Sequence, residues 1–172
     1  MFFKRLIALC FFSILLPAQI IASPVADQTQ LAVWVNEAIV ATYTYDYENF
    51  IERQKDIAKY FTSNGWIEYS KALLKAKLPD AVKKNAYVVS AVALMPPDIK
   101  TLKNNQWQAL MPLLVVYKNP SYQQKQTLTV KLTFIVAPEG SGVRGFAITD
   151  LQTQVTEPPC ECAKVQKMKA VV

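Results

Sequence analysis

The run QWQALMPLLVVYKNPSYQQKQTLTVKLTFIV, residues 106–136, holds two strands and the turn between them. Its second half alternates strictly. Leu128, Val130, Leu132, Phe134 and Val136 point one way, and Thr127, Thr129, Lys131 and Thr133 the other. That is the period of a sheet with one buried face. In the first half, Trp107, Ala109, Met111, Leu113, Val115 and Tyr117 share a face. Leu114 and Val116 lie on the other, which predicts burial on both sides at the far end. Pro112 has no N–H to give to a ladder, so a bulge or an edge is expected there. Lys118-Asn119-Pro120-Ser121 is a turn.

Outward from this pair, residues 87–94 form another strand before Pro96-Pro97-Asp98 punctuates the chain. Glu139-Gly140-Ser141-Gly142 is a hairpin loop leading to a fourth strand over 143–156. The apolar phase of that strand slips between Ile148 and Leu151, which predicts a second bulge. Upstream the period is helical. Leu31, Trp34, Val35, Ala38, Ile39 and Thr42 make one face of a helix over 28–42. A second helix is expected over 47–61, with Phe50, Ile51, Ile57, Ala58 and Phe61 inward. Thr62-Ser63-Asn64-Gly65 stops and restarts the chain, with polar caps and a positive φ available to Gly65. A third helix runs over 66–77, and Pro79 ends it or opens a short turn through Lys84. Helices first and four consecutive strands after them give an α+β fold, helices packed on one four-stranded antiparallel sheet.

The ends read differently. Lys4 and Arg5, the apolar run 6–16, Pro17 and the small Ala22 make residues 1–22 a signal peptide. An uncleaved anchor is the rival, but the run is short of the ~20 residues that span a bilayer. The domain is then 23–157, and 158–172 is a flexible C-terminal tail. Export places Cys160 and Cys162 in an oxidising compartment, where they could bridge to each other or between chains. The exported protein is mildly basic with its charges spread out, so no nucleic acid is expected as a partner.

The chain has 172 residues, 52% hydrophobic and 19% charged, and no histidine. Histidine-based catalysis and histidine metal ligation are excluded. No phosphate-cradling or dinucleotide loop occurs, and no cofactor or metal is expected. Asp46 and Glu48 read as capping or solvated groups rather than an acid/base pair. Tyr43, Tyr45 and Tyr47 read as a helix end where some rings pack and another stays wet. With Trp34 they are the candidate contact surface. Trp66 and Trp107 read as core.

Four stretches carry a resemblance. They are Phe61-Thr62-Ser63-Asn64-Gly65-Trp66, Met111-Pro112-Leu113-Leu114-Val115-Val116-Tyr117, Arg144-Gly145-Phe146-Ala147-Ile148, and WVNEAIVATY from Trp34 to Tyr43 with Tyr47 and Phe50 after it. In this order they resemble the DotI/IcmL family over about residues 30–155. The resemblance implies a subunit of type IVB secretion or conjugation machines, which serve virulence and plasmid transfer. It implies the curved cone of nuclear transport factor and of the VirB-type assembly factor. Phe61, Gly65, Trp66, Met111, Pro112, Tyr117 and Gly145 would be its structural motif residues. Family members carry a cytoplasmic stretch and a membrane helix, where this chain has its short signal. The expectation is therefore a soluble, non-catalytic periplasmic paralogue that contacts secretion-system envelope proteins, alone or as a homodimer. It would meet the inner membrane only if the signal stays uncleaved. The alternative is a small-ligand binder or degenerate enzyme using the cleft of the cone.

Overall fold

The structure, a computed structural model, describes residues 27–103 and 105–161, with side chains to Glu157. The expected signal over 1–22 and the thiols of Cys160 and Cys162 lie outside the described residues. Asp27 opens helix α1 (Gln28–Thr42) by accepting the Thr29 N–H at 3.3 Å. All six residues of the expected stripe, Leu31 through Thr42, are buried. Thr42 is tolerated there because its hydroxyl donates to the Ala38 carbonyl at 2.7 Å.

Helix α2 (Phe50–Ala58) is shorter than expected at both ends, and Ile57 is its buried residue. Ile51 does not face inward: it is 68% exposed. Ile57 and the half-buried Phe50 fix the inner face, and Ile51 stands about 100° round the helix from Phe50. Helix α3 (Ser63–Lys75) starts at Thr62, whose hydroxyl oxygen accepts the Gly65 N–H at 3.1 Å. Gly65 is helical and uses no positive φ. It is needed for closeness instead, because a Cβ there would stand 2.5 Å from the Ile148 carbonyl oxygen. The turn expected after Pro79 is a fourth helix, α4 (Leu78–Lys84), with Pro79 in its first turn.

The sheet has six strands rather than four. They are β1 (Tyr45–Asp46), β2 (Val88–Ala93), β3 (Asp98–Lys103), β4 (Gln106–Asn119), β5 (Tyr122–Val136) and β6 (Phe146–Glu161). All neighbours are antiparallel in the order β1-β2-β4-β5-β6, and β3 also pairs with β4. Strands β2 and β3 thus share one edge of β4. Pro112 sits opposite the break between them. Its carbonyl accepts the Leu94 N–H at 3.0 Å, and its register with β5 is unbroken, so there is no bulge. The missing N–H falls where no strand asks for it. The bulge expected in the last strand is present: Thr133 pairs with Asp150 and Phe134 with Ile148, which leaves Thr149 extra. Strand β6 runs to Glu161, past the expected start of the tail at 158.

The sheet is curled and its concave face holds the core. The inward residues of β4, those of β5 from Leu128 to Phe134, and Ile148 of β6 close on the stripe of α1. Two expectations fail at the margins. Val136 is exposed at the last residue of β5, and Leu114 and Val116 are half-buried because, among the described residues, no layer covers the convex face over them.

Candidate functional site

The interior comes first, because a cleft there decides whether small-molecule chemistry is available. Trp34 of α1 reaches across to Phe134 and Phe146, with ring centroids 5.0 and 5.5 Å away. Trp107 stacks on Phe134 at 5.4 Å and meets Phe146 edge-on at 5.8 Å. Trp34 is 1% exposed, and its indole N–H donates to the Val143 carbonyl at 2.8 Å. Trp34 therefore belongs to the core and leaves the expected contact surface. A second ring set, Phe61, Trp66 and Tyr69, packs where α3 meets β6, with Phe61 and Tyr69 stacked at 4.9 Å. Trp107 is buried as expected, and Trp66 is half-buried against the same core.

Neither a helix nor one strand carries the tyrosine row: α1 ends at Thr42, Tyr45 alone lies in the two-residue β1, and Tyr43 and Tyr47 flank it. Tyr45 points inward from β1, buried, with its ring edge-on to Phe50 at 5.4 Å. Tyr47 points outward, and its hydroxyl donates to Glu48 at 2.8 Å. Tyr43 is half-buried and its hydroxyl is hydrogen-bonded with that of Thr153. Burial pushes the Tyr43 phenol up to about 12, and raises Tyr45 and Tyr69 further, with neighbouring phenols adding to the effect. These phenols stay protonated at neutral pH. Of the four expected contact residues, Tyr47 alone is openly on the surface. The contact-capable residues that periodicity missed are Ile51 on α2 and Ile67 and Leu74 on α3. Ile67 and Leu74 stand two turns apart on one face of α3.

One corner joins the layers. Glu37 of α1 accepts the Tyr60 hydroxyl at 2.8 Å and pairs with the Arg144 guanidinium at 3.0 Å. Arg144 and Gly145 both take left-handed backbone, φ 51° and 82°, and this sharp turn aims Arg144 back at α1. Beside it lies a cavity of about 370 Å³ lined by Thr29, Gln30, Val33, Trp34, Arg144 and Phe146. It is a depression between the start of α1 and the Arg144 turn, on the outer side of the packed rings. The other motif residues sit within the fold. Phe61 and Met111 are buried, and Tyr117 is half-buried against Tyr87 at 5.9 Å.

The acidic pair does not form a catalytic set. Asp46 accepts the N–H groups of Glu48 and Asn49 at 2.9 and 2.8 Å, and the Asn49 bond leads in holding its carboxyl below the usual range. It shapes the approach to α2 from the surface. Among the described residues no three His, Cys, Asp or Glu side chains gather as a metal would need.

Residues 14–155 match a family described as the inner-membrane complex component of the type-IVb secretion system, DotI/IcmL. An IcmL-like type IV secretion system protein from Legionella pneumophila subsp. pneumophila str. Philadelphia 1 is 61% identical, over 79% of this chain and 98% of that one, with a TM-score of 0.75. The periplasmic domain of DotI is 29% identical over 77% and 98% of the two chains, with a TM-score of 0.71. Agrobacterium tumefaciens VirB8, 10% identical over 78% and 98%, shares the fold with a TM-score of 0.54. No curated protein matches the chain.

Proposed function

The chain belongs to the DotI/IcmL family of type IVB secretion components, and from that premise we propose that it is a non-catalytic periplasmic module that works by touching other proteins of the machine. The observation that carries this reading is the filled interior. Trp34, Trp107, Phe134 and Phe146 occupy the concavity where an enzyme of this shape would place its substrate. What remains for function is the outer surface. The helical side offers Tyr47, Ile51, Ile67 and Leu74, apolar groups held on a rigid frame and open to a partner. A homodimer could use the same groups.

The periplasmic placement rests on the signal pattern of residues 1–22 and on the likeness to the periplasmic domain of DotI. Among the described residues no helix is long and apolar enough to cross a membrane. Pull-down from detergent extracts of cells carrying the machine tests the reading. Recovery of secretion components supports it; their absence at normal expression counts against it. A second reading, a small-ligand binder, is favoured by the cavity beside Arg144 alone. Native mass spectrometry of protein taken from its cells tests that reading, through a small molecule retained by the wild type and lost on Arg144→Ala.

A further inference from the structure

The convex face of the sheet has a composition that neither packing nor the helical contact side explains. Register defines its rows. Val92 faces Leu114, Leu110 lies between Asp98 and Lys131, Lys100 is beside Gln108, and Val116 is beside Lys125. Lys103 pairs with Gln106 and Lys118 with Val88, on the same side. The aliphatic groups are open to solvent: Val92 is 58% and Met95 64% exposed, and Leu94 and Leu110 are exposed as well. Leu94-Met95-Pro96-Pro97 forms an apolar corner between β2 and β3, next to the lysines of β3.

Charge on this face is one-sided. On the convex side of β2 to β5, Lys100, Lys103, Lys118, Lys125 and Lys131 stand with Asp98 as the one acid among the described residues, 3.8 Å from Lys100. Acids reappear at both margins, as Asp46 on β1, paired with Val88, and as Asp150 and Glu157 on β6. We propose that the β2–β4 side of this convex face rests on an anionic lipid surface. The Leu94–Pro97 corner would enter the interface and the lysines would lie over the phosphates.

Charge complementarity selects the occupant. Cores of protein interfaces are enriched in aromatic residues and arginine and depleted in lysine. This face has lysine and aliphatic side chains, and no aromatic or arginine points outward from β2 to β5 among the described residues. A bilayer also asks for no concavity, and the cavity beside Arg144 lies elsewhere. Lysines near an anionic membrane each strengthen binding about fivefold, so this cluster suffices for reversible attachment. The contact does not depend on the fate of residues 1–22.

Flotation of the full chain with vesicles of phosphatidylethanolamine plus phosphatidylglycerol, against phosphatidylcholine alone, tests the proposal. Two variants of equal net charge separate this face from the rest of the chain. The triple Lys100→Gln, Lys103→Gln, Lys131→Gln should weaken binding to the anionic vesicles about a hundredfold. The triple Lys55→Gln, Lys75→Gln, Lys83→Gln, on the helices, should leave it within about twofold. Met95→Asp should weaken it about tenfold with an unchanged circular dichroism spectrum. Equal losses from the two triples, or indifference of the wild type to lipid charge, would overturn the proposal. So would a wild type that ignores vesicles while the face triple abolishes a protein crosslink in cells, which would make the face a protein interface.

Discussion

Strands β4 and β5 build their two faces from alternate residues of the same chain, and the faces have opposite fates. On the concave side Trp107, Ala109, Met111, Leu113 and Val115 are sealed under helices and rings. On the convex side Leu110 is exposed and lysines and threonines fill the rows around it. The concave face is fully engaged in making the fold, so it has little left to offer a ligand. The convex face packs less against the rest of the described residues, which leaves its composition to the lipid contact proposed above. Substitutions should therefore divide by face: stability is lost from one and recognition from the other.

The largest effect is expected at Trp34→Ala, which removes a buried ring and an indole bond to Val143. Urea unfolding should show a loss of about 3–5 kcal/mol; a loss below about 1 kcal/mol would mean that the interior is looser than described. Next comes Gly65→Ala, whose Cβ would meet the Ile148 carbonyl oxygen at 2.5 Å and the Thr149 carbonyl oxygen at 3.1 Å. Neither is a flexible side chain that could give way, so a loss of about 1–3 kcal/mol is expected, read as a lower thermal midpoint. An unchanged midpoint would show that α3 does not need its close seat on β6.

A smaller loss should appear with pH. Tyr43 and Tyr60 are pushed up to about 12 in the folded protein, from an ordinary 10.0, by burial first. Between pH 10 and about 12 the unfolded chain gives up these protons while the folded chain keeps them. Stability from this source is therefore complete below pH 10 and falls as pH rises through that window. Phenolate absorbance followed beside unfolding should show late-titrating tyrosines; a single normal transition would contradict the burial. The smallest effect is expected at Leu110→Gln on the convex face, within about 0.5 kcal/mol by urea unfolding. A larger loss would erase the contrast between the faces.

Legibility in the sequence followed burial. Helix α1 was readable to the residue because one face of it is entirely covered, and the clean alternation of β5 from Leu128 to Phe134 has the same cause. The slip between Ile148 and Leu151 was readable because a bulge shifts side chains visibly from face to face. Strand β3, DIKTLK, was not, because it is an edge with only Ile99 turned to the core and the rest exposed, too little to show a period. Strand β1 was missed because it is two residues long and exists only through distant Val88 and Val89. That omission led the tyrosine row to be taken around a helix, which hid the inward turn of Tyr45. Gly65 was noticed for a conformational freedom that it does not use. Its carbonyl neighbours come from β6, far along the chain, and no local pattern reports them.

The central claim is that a solid interior leaves the outer surface to do the work, with the helical side turned to the secretion machine. A photo-crosslinking amino acid at Ile51, in cells carrying the machine, tests it most directly. The account predicts a covalent adduct between this chain and a secretion-system subunit, with none from the buried position of Trp34. No protein adduct from Ile51 or Leu74 at normal expression would contradict it.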